Sequence, residues 1–298
     1  MGSTYIGRCE SQSQGPSMNL TPDVLRIDPV QTESRITRFV RNYVAEAKVP
    51  GIILGISGGI DSAVCGAICA KAIGGAKVLG VNMPEAETLD EAEMQDAKLV
   101  SKMFGIDLVT VDISDMVKTF FRVVPVFDVD DRIANGNVKA RIRMAVLYYY
   151  ANRLRWLVAG SSDKSELMLG YFTKWGDGCA DILPIADLYK TQVRQLASHL
   201  ALPSRLVEKP PSPNLWPGQT AKEELGLGYD ELDLALYGLE HFMTADEISK
   251  ELGLPIEVVK DIEARWLRSE HKRRSPLSVK LGYRSVGHDF RLPYSMSL

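Results

Sequence analysis

Cysteine is scarce in this 298-residue chain. Its four thiols, Cys9, Cys65, Cys69 and Cys179, form neither a C-x-x-C pair nor a disulfide framework, as expected in a reducing cytoplasm. Cys65 and Cys69 stand one helical turn apart and read as small core residues. No run approaches the ~20 apolar residues of a membrane span, and the amino-terminal stretch lacks the apolar core of a signal peptide. A surplus of positive charge is also missing. With 35 Lys and Arg against 38 Asp and Glu, the net charge of −3 argues against broad nucleic-acid binding. Two nucleotide-binding patterns are absent as well: the lysine-bearing triphosphate loop G-x-x-x-x-G-K-[ST] and the dinucleotide pattern G-x-G-x-x-G. Any polyanionic ligand must therefore be met by local groups.

What the chain does have is the stretch GIILGISGGIDSAV, from Gly51 to Val64. Ile52 to Ile56 is a short apolar run, the pattern of a strand covered on both faces in a parallel sheet. Ser57, Gly58 and Gly59 break it. From Asp61 onward small apolar residues predict a helix packed on most sides. The bend thus lies between a strand's carboxyl end and a helix's amino end, where unpaired N–H groups and the dipole favour an anion. Two glycines let the main chain curl round a phosphate, Ser57 and Ser62 add hydroxyls, and Asp61 can hold a divalent cation there. An ordinary capped turn is the plainer reading of the same residues.

Residues 1 to 22 are rich in Ser, Gln and Gly without apolar period, so a disordered tail is expected; residues 1 to 17 read as a cloning remnant and Met18 as the native start. Residues 23 to 298 are expected to form one domain, with an α/β core to about residue 200, a proline-rich loop at 208 to 219 and a helical part at 229 to 298. Thr32 to Ala47 reads as an amphipathic helix. Strands are expected at Ala76 to Met83, Ile106 to Asp112 and Trp156 to Ala159, and helices at Thr88 to Phe104, Ser114 to Arg122 and from Gly136 to about Leu154. Alternating strands and helices imply right-handed βαβ units and an α/β fold with a doubly wound, mostly parallel sheet flanked by helices. Its ligands belong beyond the carboxyl ends of the strands. Tyr229 to Gly238, Thr244 to Leu252 and Pro255 to Leu267 read as a C-terminal helical extension, with Thr244 and Glu247 at capping-box spacing.

Several other groups carry chemistry. Arg141 and Arg143 lie two apart and point to different faces of their helix. Asp163 and Glu166 also have capping-box spacing, so Glu166 either caps a helix or supplies a second magnesium carboxylate facing Asp61. If Asp187 caps the next helix, Lys190 falls in its first turn, where a cation opposes the dipole and calls for a phosphate partner. Arg265, Arg268, His271, Lys272, Arg273 and Arg274 concentrate positive charge near the end, either as a solvated face or for an anionic substrate. His199, His241 and His288 read as structural or exposed.

Ser57 to Ser62 resembles the pyrophosphatase loop of N-type ATP pyrophosphatases. Asn137-x-x-Ala-Arg-x-Arg-Met144, the Thr173 to Asp181 loop and Lys190-Thr-Gln-Val193 resemble signatures of NAD synthetases, and the likeness spans most of residues 35 to 290. Carried over position by position, it implies ATP contacts at Gly55, Ile56, Ser57, Gly58, Gly59, Ile60, Asp61, Ser62, Ser161, Lys190 and Ser212. It implies catalytic roles for Asp61 and Lys190, and magnesium at Asp61 and Glu166. Deamido-NAD would meet Arg141, Lys174, Asp181, His271 and Lys272. Ser161 and Ser212 stand where the family usually carries threonine, and Pro84 to Thr88 lacks the family's Gln-containing segment.

The resemblance implies that the nicotinate carboxylate of deamido-NAD attacks the α-phosphorus of ATP, releasing pyrophosphate, and that ammonia then displaces AMP to give NAD. No glutaminase domain is expected before residue 35, so free ammonia or a separate donor supplies the nitrogen. A cytoplasmic homodimer is implied, with neither nucleic acid nor membrane as partner. Two alternatives stand beside this reading. One is another enzyme with the same loop, a GMP synthetase module or a tRNA-lysidine or tRNA-thiolation enzyme, disfavoured for RNA by the acidic balance. The other is a non-catalytic nucleotide sensor, which would not need Asp61, Glu166 and Lys190 together.

Overall fold

The computed structural model describes residues 19–286, 289 and 290. Cys9, the expected tail over residues 1 to 18 with its start at Met18, and His288 lie outside the described residues. In chain order the strands are β1 (Ile52–Gly55), β2 (Val78–Asn82), β3 (Asp107–Thr110) and β4 (Leu157–Ala159). The helices of the amino-terminal part are α1 (Pro29–Glu46), α2 (Ile60–Ile73), α3 (Glu91–Phe104), α4 (Ser114–Val123) and α5 (Arg132–Leu154). Then come α6 (Lys164–Leu169), α7 (Lys190–His199), α8 (Ser204–Val207), α9 (Ala221–Leu225), α10 (Tyr229–Glu240), α11 (Ala245–Leu252), α12 (Ile256–Arg268) and α13 (Glu270–Arg273).

All four strands pair in parallel in the order β3-β2-β1-β4. The apolar run of β1 is central because both its faces are covered. Ile52 and Leu54 point into a core shared with α1, α2, α3 and α7, while Ile53 points the other way, into a core with Val81, Val158 and residues of α4 and α5. Full burial of such side chains contributes roughly 1.5–3 kcal/mol each. The small residues of α2, among them Ala63, Cys65, Ala67 and Cys69, let that helix sit buried on nearly every side, as expected. The doubly wound parallel sheet of the sequence reading is thus the observed one, and a single parallel bridge from Ala159 to Ile182 extends it past β4.

A second core lies among the C-terminal helices, where Leu232, Leu236 and Leu239 of α10 meet Ile248, Val259 and Ile262. Leu20 and Leu25 join it from the other end of the chain. Of the tail expected over residues 1 to 22, the stretch from Leu20 is therefore packed, because Leu20 finds an apolar seat beside Gly238 that composition cannot reveal. The helix expected from Gly136 begins earlier, at Arg132, because Asp131 caps it by accepting from Ala134 N at 2.9 Å. Likewise α3 begins at Glu91 rather than Thr88, with Asp90 as its cap. Among the described residues no helix is long and apolar enough to cross a membrane.

Candidate active site

β1 lies between β2 and β4, so the chain runs one way from β1 to β3 and then returns to place β4 on the opposite side. Loops leaving neighbouring strands in opposite directions open a crevice at the carboxyl end of β1. The loop after β1 and the Gly160 to Glu166 segment after β4 form its two lips. A cavity of about 300 Å³ sits there, and every residue of the expected phosphate loop from Gly55 to Ser62 except Gly58 lines it, together with Ser161, Glu166 and Ser212.

The loop is held by its own hydroxyls. Ser62 Oγ accepts from Ser57 N at 3.2 Å and donates to Gly59 O at 3.0 Å, while Ser57 Oγ accepts from Gly59 N at 3.2 Å. Ser57 is exposed at the mouth. Gly58 has φ +93°, and a Cβ there would lie 2.2 Å from the carbonyl oxygen of Glu93 in α3, so only glycine fits. The result is a backbone nest at the start of α2, suited to an anion without help from a lysine in the loop.

Beneath the nest lies a knot of charge. Lys190, at the first position of α7, has its ammonium 2.7 Å from Asp61 Oδ2, 2.7 Å from Asp163 Oδ2 and 2.9 Å from Glu166 Oε1. Lys190 and Asp163 are fully buried, whereas Asp61 and Glu166 reach the cavity. Burial alone would push the lysine's pKa down, but the three carboxylates carry it well above the ordinary value. Burial pushes Glu166 and Asp163 upward, with Lys190 pulling against it. The phosphate partner expected for Lys190 is thus, in the structure, a set of three acids, and Lys190 does not line the cavity. Nor does Asp187 cap α7. It is exposed and paired with Lys164, and Gln192 accepts from Tyr189 N instead.

The capping reading of Glu166 is the one the structure bears out, with its Oε2 accepting from Asp163 N at 3.5 Å. Asp163 Oδ1 accepts from Glu166 N at 2.8 Å, the capping arrangement, while the other carboxylate oxygens turn toward Lys190. One oxygen from each of Asp61, Asp163 and Glu166 lies within 4.8 Å of the others, and Asp61 Oδ1 is buried without a partner. Three carboxylates about one ammonium leave an excess of negative charge. These donors fit the hard divalent cation expected from the sequence.

Other contributors escaped the sequence reading. Asp233 of α10 accepts from Ser165 Oγ at 2.5 Å and from Thr191 N at 2.8 Å, bracing both α6 and α7. Burial pushes its carboxyl up to about 7. An acid inside the apolar run of α10 was the available signal. Tyr229 lines the cavity with Lys190 5.3 Å from its ring centroid, and its buried hydroxyl has no partner. Arg143 also lines it, donating to Met83 O at 3.2 Å, and burial lowers its pKa against the pull of Glu85. One turn earlier, Lys139 is buried between Glu85 at 2.8 Å and Glu87 at 2.6 Å, which fixes the segment after β2 as a cavity wall.

The residues expected to meet deamido-NAD lie outside this cavity. Arg141, exposed, donates to Lys174 O at 3.3 Å, and Lys174 Nζ donates to His271 O at 2.7 Å, so these three form one chain on the surface. Lys272 donates to Gly170 O and Phe172 O. Asp181 stands apart, accepting from Val158 N and Tyr148 Oη. Of the terminal basic run, Arg265 pairs with Asp261, and Arg273 and Arg274 pair with Glu270. His199 pairs with Glu33, and His241 stacks on Tyr237.

An anion nest at the switch point of a parallel sheet, with carboxylates for a cation beneath it, suits the phosphates of a nucleotide with a divalent cation. Comparison with known proteins narrows this further. The NAD synthase family model matches residues 32–276. An NH(3)-dependent NAD(+) synthetase of Methanocaldococcus jannaschii is 45% identical over 245 residues, covering 82% of this chain and 94% of that protein. Among solved structures, an NMN synthetase from Francisella tularensis superposes with TM-score 0.76 at 30% identity, covering 86% of this chain and all of that one. An NH3-dependent NAD synthetase from Campylobacter jejuni gives TM-score 0.72 at 27% identity, covering 85% of this chain and all of that one. The chain belongs to the NAD synthase family.

Proposed function

We propose that this protein amidates deamido-NAD to NAD with ammonia and ATP, releasing AMP and pyrophosphate. The observation that carries the reading is the nest at Ser57 to Ser62 set directly above the Asp61, Asp163, Glu166 and Lys190 knot. The nicotinate carboxylate attacks the α-phosphorus, the bond to the departing pyrophosphate breaks, and ammonia then displaces AMP from the activated acyl group. Charge grows on pyrophosphate in the first step. The first-turn amides of α2, which precede the bond from Ala63 N to Gly59 O, are the groups that receive it, and the Ser57 and Ser62 hydroxyls hold the loop that presents them, so little reorganisation is needed. Magnesium, held by Asp61 and Glu166, would supply Lewis-acid neutralisation of the phosphates. Lys190 balances the carboxylates from below, and its position is set by Asp163. Ser161 and Ser212 line the ATP cavity, and the Arg141, Lys174 and His271 chain, with Lys272 and Asp181, serves deamido-NAD outside it.

A homodimer follows from the same reading. Phe120, Val123 and Ile133 on α4 and α5 are exposed and apolar, a surface suited to a second copy. A cytoplasmic location is part of the proposal.

The test incubates protein, magnesium and ATP with ammonium and either deamido-NAD or nicotinate mononucleotide. The second substrate is included because an NMN synthetase is among the similar structures. NAD, AMP and pyrophosphate in equal amounts are expected. ADP as product would refute the cleavage, amidation of the mononucleotide alone would reassign the substrate, and no turnover would favour a sensor. Asp61→Asn should lose pyrophosphate release; wild-type rates in that variant would remove Asp61 from the mechanism.

A further inference from the structure

The segment from Lys209 to Leu215 roofs the cavity. Pro210, Pro211 and Pro213 deprive it of backbone donors, so it cannot join regular structure and its seat depends on side chains. Two of those side chains converge on one carboxylate. Lys209 Nζ lies 2.7 Å from Glu93 Oε1, and Asn214 Nδ2 donates to Glu93 Oε2 at 3.0 Å and to Thr88 O at 3.0 Å. Glu93 is four-fifths buried, at 19% side-chain exposure, so water competes weakly for these bonds. Asn214 itself takes φ +50°, a left-handed turn that asparagine tolerates, which sends Leu215 against α5. There a Cβ at Gly136 would come within 3.1 Å of Leu215.

The main chain of the same Glu93 is the surface against which Gly58 packs. One residue therefore touches both the floor and the roof of the site, its backbone setting the phosphate loop and its carboxylate setting the cover. We infer that Glu93 is a positioning residue that locks the proline-rich cover in register with the phosphate loop and so keeps water from the activated acyl group. The inference rests on the amidation proposed above. If the cover loosens, water adds to the acyl carbon and the bond to AMP breaks. Deamido-NAD is then regenerated, AMP is released, and ATP is spent without NAD.

The readout is the ratio of AMP formed to NAD formed, a quantity that a general loss of stability does not move. Wild type should give a ratio near one. Glu93→Ala should raise it roughly ten-fold, the factor that corresponds to one lost charged hydrogen bond. Glu93→Gln should raise it less, because the amide oxygen still accepts from Asn214. Lys209→Met, altered on the roof alone, should resemble Glu93→Gln, and thermolysin should cut within residues 208–219 faster in all three. A ratio that stays at one in both Glu93→Ala and Lys209→Met overturns the assignment. If Glu93→Ala does not fold, Lys209→Met decides alone. Wild type that forms no NAD defeats the amidation reading itself, which separates the two failures.

Discussion

Replacing Lys190 by methionine keeps the volume of the side chain and deletes its charge. The variant leaves Asp61, Asp163 and Glu166 facing one another with no ammonium between them. Removing one partner of a buried ion pair costs about 3–5 kcal/mol, chiefly because the remaining charge is buried uncompensated. For a chain of this size that lowers the melting temperature by about 10 °C. The pH dependence gives the sharper test. Burial already holds Asp163 and Glu166 above the usual carboxylate range, and without Lys190 both rise further. A carboxyl whose folded pKa exceeds its unfolded one binds more protons in the native state across that interval, so stability falls as pH rises through it. Lys190→Met should therefore regain stability as the pH is lowered, more steeply than wild type, in urea titrations analysed for two-state unfolding. Excess magnesium should also raise its melting temperature more than that of wild type, since the cation takes up the vacated role. A loss below about 1 kcal/mol with an unchanged pH slope would refute the reasoning, because it would mean the ammonium is not what balances the acids.

Asp233→Asn should flatten the pH profile of stability: with the native carboxyl pushed up to about 7, wild type loses stability as pH rises from about 4 to 7, on the order of 4 kcal/mol in all, while asparagine does not titrate. Parallel urea titrations of the two proteins at pH 5 and 8 check this, and identical slopes would remove Asp233 from the account. Gly58→Ala forces a Cβ to within 2.2 Å of a backbone carbonyl. Displacement of the phosphate loop by about 1 Å should then lower kcat/KM for ATP on the order of 100-fold, measured by pyrophosphate release.

Local features were legible in the sequence and convergent ones were not. The strand, turn and helix around Ser57 follow from adjacent residues, whereas the Ser57 and Ser62 hydroxyls, expected as phosphate donors, bond within the loop itself. The cap at Asp163 was readable because capping is a matter of three positions. Its second oxygen was not, since that oxygen meets Lys190 only once α6 and α7 are packed together. For the same reason Lys190 looked like a misplaced cation in search of a phosphate. Asp233 is separated from Ser165 by the whole proline-rich segment and by α7, α8 and α9, beyond any periodicity argument. Arg143 was distinguished from Arg141 by helical phase, and the structure does turn one to the cavity and the other to solvent. The start of α5 was misplaced because Gly136 looks like a boundary, although its lack of a side chain serves the close approach of Leu215.

The brace at Asp233 has a consequence for how the protein comes to life. Since α6 and α7 are both tied to α10, a ribosome-bound chain released only as far as α7 carries its acids and its lysine without the clamp that sets their spacing. Competence for chemistry thus arrives late in synthesis, after the helical half has emerged and docked. Cutting the molecule at the end of its sheet would therefore yield no miniature enzyme.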